Sequence, residues 1–340
     1  MKYEAPWWLP GGNAQTIWAA LYAARYQGSK PQFTRARWTT PDDDFIDVDF
    51  LADASDRASP TLSPGAAQPP QPMVVVFHGL EGSSSSHYAE AFAGVARSRG
   101  WACAVPHFRG CSGELNRAPR AYHSGDFEEI DWILRRLARE HAGPLLAVGI
   151  SLGGNALMRW AAESGAQARG VVSGVASVCS PLDLAASGWA IGRGFNRLVY
   201  TRMFLSSMVP KALKKLDQHP GLFDRERLLA ARDLYAFDNI FTAPLHGFKD
   251  TDDYWSRASA KPHLHRIAVP ALVLNALNDP FIPASSLPTA QGVSPHVTLW
   301  QPAAGGHVGF PSAPSTWLPD LPGDVRLMPQ AVTSFLAQQL

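Results

Sequence analysis

The feature that most constrains this chain is an alternation running from residue 73 to residue 180. Four apolar runs, MVVVF (73–77), WACAVP (101–106), LLAVGI (145–150) and VVSGVASVCS (171–180), are separated by stretches of helical spacing. HYAEAFAGVARSRG (87–100) ends on a glycine stop. DFEEIDWILRRLAREH (126–141) places acids in its first turn and bases in its last, which suits the helix dipole. LGGNALMRWAAESG (152–165) opens on glycines that let a helix sit close to a sheet. A strand that is apolar along its whole length must be covered on both faces. The pattern therefore predicts an α/β fold with a mostly parallel central sheet flanked by helices.

The flanks extend this core. Residues 35–52 read as a β-hairpin: FIDVDF alternates apolar and acidic residues, and PDDD supplies the turn. Residues 53–72, rich in Pro, Ala and Ser, read as an exposed loop. After Pro181 the alternation breaks. Residues 183–262 hold helical patterns and no clear strand, the composition of an inserted helical cap. Strands resume at ALVLNAL (271–277) and HVTLW (296–300), and a last helix is expected at 327–339. The expected organisation is a core from 35–182 and 263–340, a helical cap insertion at 183–262, and an N-terminal segment, 1–34, packed on the core.

In a parallel sheet the loops at the carboxyl ends of the strands converge on one edge, and sites form there. GISLGGN (149–155) sets a serine between glycines at the end of a buried strand. Small neighbours allow the strained strand-to-helix turn that lifts a serine hydroxyl above the sheet edge. NDP places Asp279, and GGHVGF places His307, each just after its own strand. Histidine can take the serine proton and return it to a leaving group, while a carboxylate holds the imidazole in the needed tautomer. Ser151, His307 and Asp279 are thus the candidate catalytic residues. Asp183, after the strand ending in VCS, ranks second as the carboxylate, because its SPLDL context also fits a helix start. Backbone N–H groups of Leu152 and of Leu80, in the HGLEG loop, are the expected oxyanion donors. His78 is expected to shape that loop by hydrogen bonds.

Composition excludes other classes. The formal net charge of +1 gives no global attraction to nucleic acid. Cys103, Cys111 and Cys179 are odd in number and lie near predicted core strands, as small buried residues in a reducing compartment would. MKYEAPWWLPGG lacks the apolar h-region of a signal peptide, and no apolar run reaches the ~18 residues of a membrane span. A cytoplasmic protein without stable membrane insertion is expected. No GxGxxG opens a helix after a strand, so no cofactor is implied, and the His263 and His265 pair in PHLH has no third ligand in view for a metal.

Several stretches carry a resemblance that spans the chain from about Trp7 to Phe310: WWLPGGNAQTIW, FHGLEGSSSSHY, HFRGCSGELNRAPRAYHSGD, AVGISLGGNAL, FKDTDDYW, LVLNALNDPFIP and GGHVGF. Together they resemble the α/β-hydrolase family, and within it the YheT-like branch related to the mammalian ABHD lipid hydrolases. The resemblance implies a triad of Ser151, Asp279 and His307 and oxyanion donors at Leu80 and Leu152. Relatives often carry a histidine and a leucine before QT, where this chain reads GGNAQT. Arg109 in FRGCSGE and His123 recur in the matched motifs, and Arg109 is expected to tie its loop to neighbouring carbonyls or acids. The implied function is a serine hydrolase acting on carboxylic esters, short-chain or monoacylglycerol-like, with a small-molecule ester as its partner. An acyltransferase using the same acyl-enzyme and a non-catalytic binding protein of the same fold are the alternatives.

Overall fold

The computed structural model describes residues 2–52, 70–312 and 323–340. The loop expected at 53–72 falls mostly outside them. Eight strands form one sheet: β1 (Phe33–Thr39), β2 (Phe45–Leu51), β3 (Met73–Phe77), β4 (Ala102–Pro106), β5 (Leu145–Ile150), β6 (Gly174–Val178), β7 (Ala271–Leu274) and β8 (Val297–Trp300). Their order is β1-β2-β4-β3-β5-β6-β7-β8. The hairpin β1–β2 is antiparallel, with Trp38 opposite Ile46, and β2 runs antiparallel to β4. All other neighbours are parallel. The fold is the α/β architecture that the apolar alternation implied.

Strand side chains alternate between faces, and so does the core. Val75 and Phe77 of β3 join one cluster with Ile130, Ile133, Leu134 and Leu137. These four lie at helical spacing on α3 (Phe127–Glu140), which lies on that face beside α4 (Leu152–Ser164). Val74 and Val76 point the other way and join Phe92 of α2 (His87–Ser98) and Val332 and Leu336 of the terminal helix Leu327–Ala337. Each such buried aliphatic or aromatic side chain contributes about 1.5–3 kcal/mol.

Between β6 and β7 the described chain is helical, including Leu184–Ile191, Arg202–Gln218, Arg225–Ala230 and Thr251–Ala258. Met208, Ala212, Phe237 and Phe241 pack on one another and against Leu80 and Ala121 from loops beyond the strand ends. The first helix, α1 (Gly11–Leu21), buries Gln15, Thr16 and Ala19. Among the described residues no helix is long and apolar enough to cross a membrane.

Candidate active site

The site begins with the turn after β5. Ser151 sits at φ 51 and ψ −119, a conformation that L residues rarely adopt. The neighbouring glycines make it possible. A Cβ on Gly153 would stand 2.5 Å from the carbonyl oxygen of His78, and one on Gly149 would stand 2.5 Å from that of Gly153. Asn155, fully buried, fixes the start of α4 from the side. Its amide nitrogen donates to the carbonyls of Ser124 (2.8 Å) and Ala258 (2.9 Å), and its oxygen accepts from the Ala260 N–H (2.9 Å).

The structure brings Ser151, His307 and Asp279 into one hydrogen-bonded chain. His307 Nε2 lies 3.0 Å from Ser151 Oγ, and His307 Nδ1 lies 2.9 Å from Asp279 Oδ2. The Asp279 carboxylate is buried, and its other oxygen accepts from the Phe281 N–H at 2.8 Å. Phe281 also packs on the imidazole, with ring centroids 4.2 Å apart. In this geometry the imidazole can accept the serine proton while the carboxylate fixes its tautomer. Asp183 is placed elsewhere. It caps the helix Leu184–Ile191 by accepting from the Ala186 N–H at 3.1 Å, and it lies 3.5 Å from Lys261 Nζ.

The HGLEG loop is held open-handed. The Gly79 N–H donates to Tyr88 Oη and the Glu81 N–H to Tyr122 Oη, both at 2.9 Å. On the other side the Ser151 N–H donates to the Val178 carbonyl at 2.8 Å. The N–H groups of Leu80 and Leu152 have no acceptor among the described residues. Both residues line the same cavity as Ser151 and His307. His78 shapes the loop: its Nδ1 donates to the Gly79 carbonyl (2.8 Å) and its Nε2 accepts from the Phe108 N–H (3.0 Å). Burial lowers its pKa to about 3, so the ring is neutral.

The cavity holds about 1170 Å³ of space, its open mouth included. Its walls are mainly apolar: Leu184, Ile191, Phe204, Met208, Phe241 and Ile282 are among them. Lys211 spans from the helix Arg202–Gln218 to Glu81, 2.8 Å away, beside Leu80. Arg109 stands in the cavity wall, and acids take up its guanidinium. Its guanidinium bonds Asp42 and Asp44 (2.8 Å each) and Glu129 (2.5 Å), tying the hairpin turn to α3. His123 lies at the cavity edge with its ring against His246 and Phe248.

Residues 11–16, GGNAQT, supply contacts that sequence reasoning did not assign. The His307 N–H donates to Thr16 Oγ1 (2.8 Å), which in turn donates to the Gly12 carbonyl (2.7 Å). Gln15 Oε1 accepts from the Gly305 N–H (2.9 Å) and from Asn278 Nδ2 (3.0 Å). Asn278 Oδ1 accepts from the Gly306 N–H (2.9 Å). The loops that carry His307 and Asp279 are thus bolted to each other through α1. Polar Gln15 and Thr16 beside the apolar run IWAAL would have signalled only that, if buried, they hydrogen-bond, and not with which partners.

Comparison with known proteins agrees with this fold. The signature of the alpha/beta hydrolase fold matches residues 72–314. The chain is 40% identical over 290 residues to the putative esterase YheT of Escherichia coli (strain K12), covering 83% of this chain and 81% of that one. It is 29% identical over 257 residues to the phospholipase ABHD3 of Mus musculus, covering 71% of this chain and 58% of that protein. Among solved structures, mouse alpha/beta hydrolase domain-containing protein 10 superposes with a TM-score of 0.53 at 14% identity, over 90% of this chain and 100% of that one. By fold, by sequence and by kinship, the chain belongs to the α/β-hydrolase family, on the branch of the YheT-like esterases.

Proposed function

We propose that this chain is a serine hydrolase that cleaves carboxylic esters through an acyl-enzyme on Ser151. The observation that carries the reading is the Ser151–His307–Asp279 chain opening on an apolar cavity. Ser151 Oγ attacks the acyl carbonyl as His307 Nε2 takes its proton. The charge that develops on the carbonyl oxygen is met by the N–H groups of Leu80 and Leu152, each such donor accelerating the step on the order of 10²–10³-fold. Asp279 holds the imidazole tautomer and stabilises the imidazolium. The tetrahedral adduct collapses as His307 returns the proton to the departing alkoxide. Water, activated by the same imidazole, then attacks the acyl-serine, and the second adduct releases the acid and restores Ser151.

The walls favour an apolar acyl or alcohol group, and short-chain esters or monoacylglycerol-like lipids are the proposed substrates. Phospholipase activity is named for the mouse relative, which supports the lipid end of that range. In this reading residues 183–262 act as the cap over the site, residues 1–34 as a segment packed on the core, and the enzyme works in the cytoplasm. The test is labelling with a fluorophosphonate probe in wild type and Ser151→Ala, followed by p-nitrophenyl esters of increasing chain length. Labelling of wild type alone is expected, with kcat/KM rising until the acyl chain fills the cavity. Equal labelling of both proteins, or none of either, would overturn the reading.

A further inference from the structure

One helical stretch runs from Gly194 to Gln218, with a wider π-type turn at Arg197–Thr201. Its inner side carries Tyr200, Phe204 and Met208, and the last two line the cavity. Its outer side is apolar as well. Leu198 is 65% exposed, Met203 54%, Phe195 51% and Val199 37%. These four recur at helical spacing, so they form one face, and exposed Trp189 lies nearby with Arg193 over its ring. A surface apolar face of this kind marks a docking site.

Charge identifies the occupant. From Leu184 to Leu216 the chain contains no Asp or Glu. Arg193, Arg197 and Arg202, all exposed, sit around or among the apolar four, and none makes an ion pair among the described residues. A two-fold contact with a second copy would press this arginine-rich face onto itself. A surface of anionic lipid satisfies both halves, taking the apolar side chains between acyl chains and the guanidinium groups against phosphates. We propose that the outer face of residues 193–203 docks this protein on anionic lipid surfaces, with the inner face of the same helix leading to the cavity. The docking goes beyond the ester-cleaving reading, and only the delivery of an amphiphilic ester to Ser151 rests on it.

The experiment is co-sedimentation of Ser151→Ala protein with vesicles of phosphatidylcholine alone and with about 30 mol% phosphatidylglycerol, at low and high salt. Using the inactive protein keeps the result independent of catalysis. Binding is expected to be about tenfold tighter on the anionic vesicles and to weaken with salt. Replacing Arg193, Arg197 and Arg202 with Gln should weaken it about fivefold per arginine, and the pair L198S and M203S should weaken binding to both vesicles. In the active protein all of these variants should hydrolyse p-nitrophenyl acetate at wild-type kcat/KM, which shows that they fold. Absence of vesicle binding, or binding indifferent to both sets of changes, would overturn the proposal. So would loss of a dimer in L198S/M203S without vesicle binding, because a second copy would then cover the face.

Discussion

The backbone N–H of His307 donates to the hydroxyl of Thr16 at 2.8 Å, a contact between residues 291 positions apart. It links the first helix to the proposed general base. It also explains why a buried polar residue stands on the inner side of α1. Thr16→Val keeps the shape but removes the acceptor, leaving the His307 N–H unpaired at a cost of about 1–3 kcal/mol. Looser aim of the imidazole should lower kcat about tenfold with little change in KM, since no substrate contact is lost. Thr16→Ser should restore the rate. A steady-state comparison of the three proteins on one soluble ester decides it. Equal kcat in Thr16→Val and wild type would reduce the contact to packing.

The two candidate carboxylates can be separated in the same way. Asp279 lies 2.9 Å from His307 Nδ1, whereas Asp183 caps a helix. Asp279→Asn keeps the size of the side chain but presents an amide, which favours the wrong imidazole tautomer. Loss of kcat on the order of 10⁴-fold is expected, by analogy with the serine-protease case. Asp183→Asn should leave kcat within about twofold and stability nearly unchanged, because an Asn oxygen caps a helix about as well as an Asp one. A large rate loss in Asp183→Asn would return it to the site.

The glycines around Ser151 make a prediction about folding. A methyl group at Gly153 would meet the carbonyl oxygens of His78 at 2.5 Å and Phe77 at 2.6 Å, both held in β3 or the loop that follows. Backbone cannot swing aside as a side chain can. Gly153→Ala should therefore destabilise the protein by about 1–3 kcal/mol and push the HGLEG loop away from Ser151. Gly170→Ala, where nothing stands within 4 Å of the added carbon, is the matched control. Denaturant midpoints of the two variants measure the difference.

These outcomes mark how far the sequence could be read. Strands buried on both faces announce themselves by unbroken apolar runs, as in β3 and β5, and their carboxyl ends locate Ser151, Asp279 and His307 within a few residues. The helical character of the stretch between β6 and β7 was legible too, from the absence of period-two patterning. What one-dimensional patterning could not give was the use of GGNAQT. Gln15 and Thr16 act through backbone groups of residues near 305, and backbone partners leave no trace in composition. Arg109 was legible as a tie, but its acids were not, because Asp42 and Asp44 looked like turn residues and Glu129 like a dipole-facing helix start.

His78 is fully buried at the start of the HGLEG loop, and burial is the main force lowering its pKa to about 3, with the Gly79 carbonyl opposing it and His107 and Lys211 acting in the same direction as burial. An unfolded chain would let the same ring titrate near 6.5. The folded value is depressed, so the unfolded state binds the proton more readily between these two values. The stabilisation is therefore complete above about pH 6.5 and is lost progressively as the pH falls toward 3. Urea unfolding at pH 7, 6, 5 and 4 should show stability falling over that window. His78→Asn cannot be protonated, so it should start less stable at pH 7, by about 1–3 kcal/mol for the lost bond to the Phe108 N–H, and decline less steeply below pH 6. Parallel slopes in the two proteins would show that His78 does not set the acid limit of this fold.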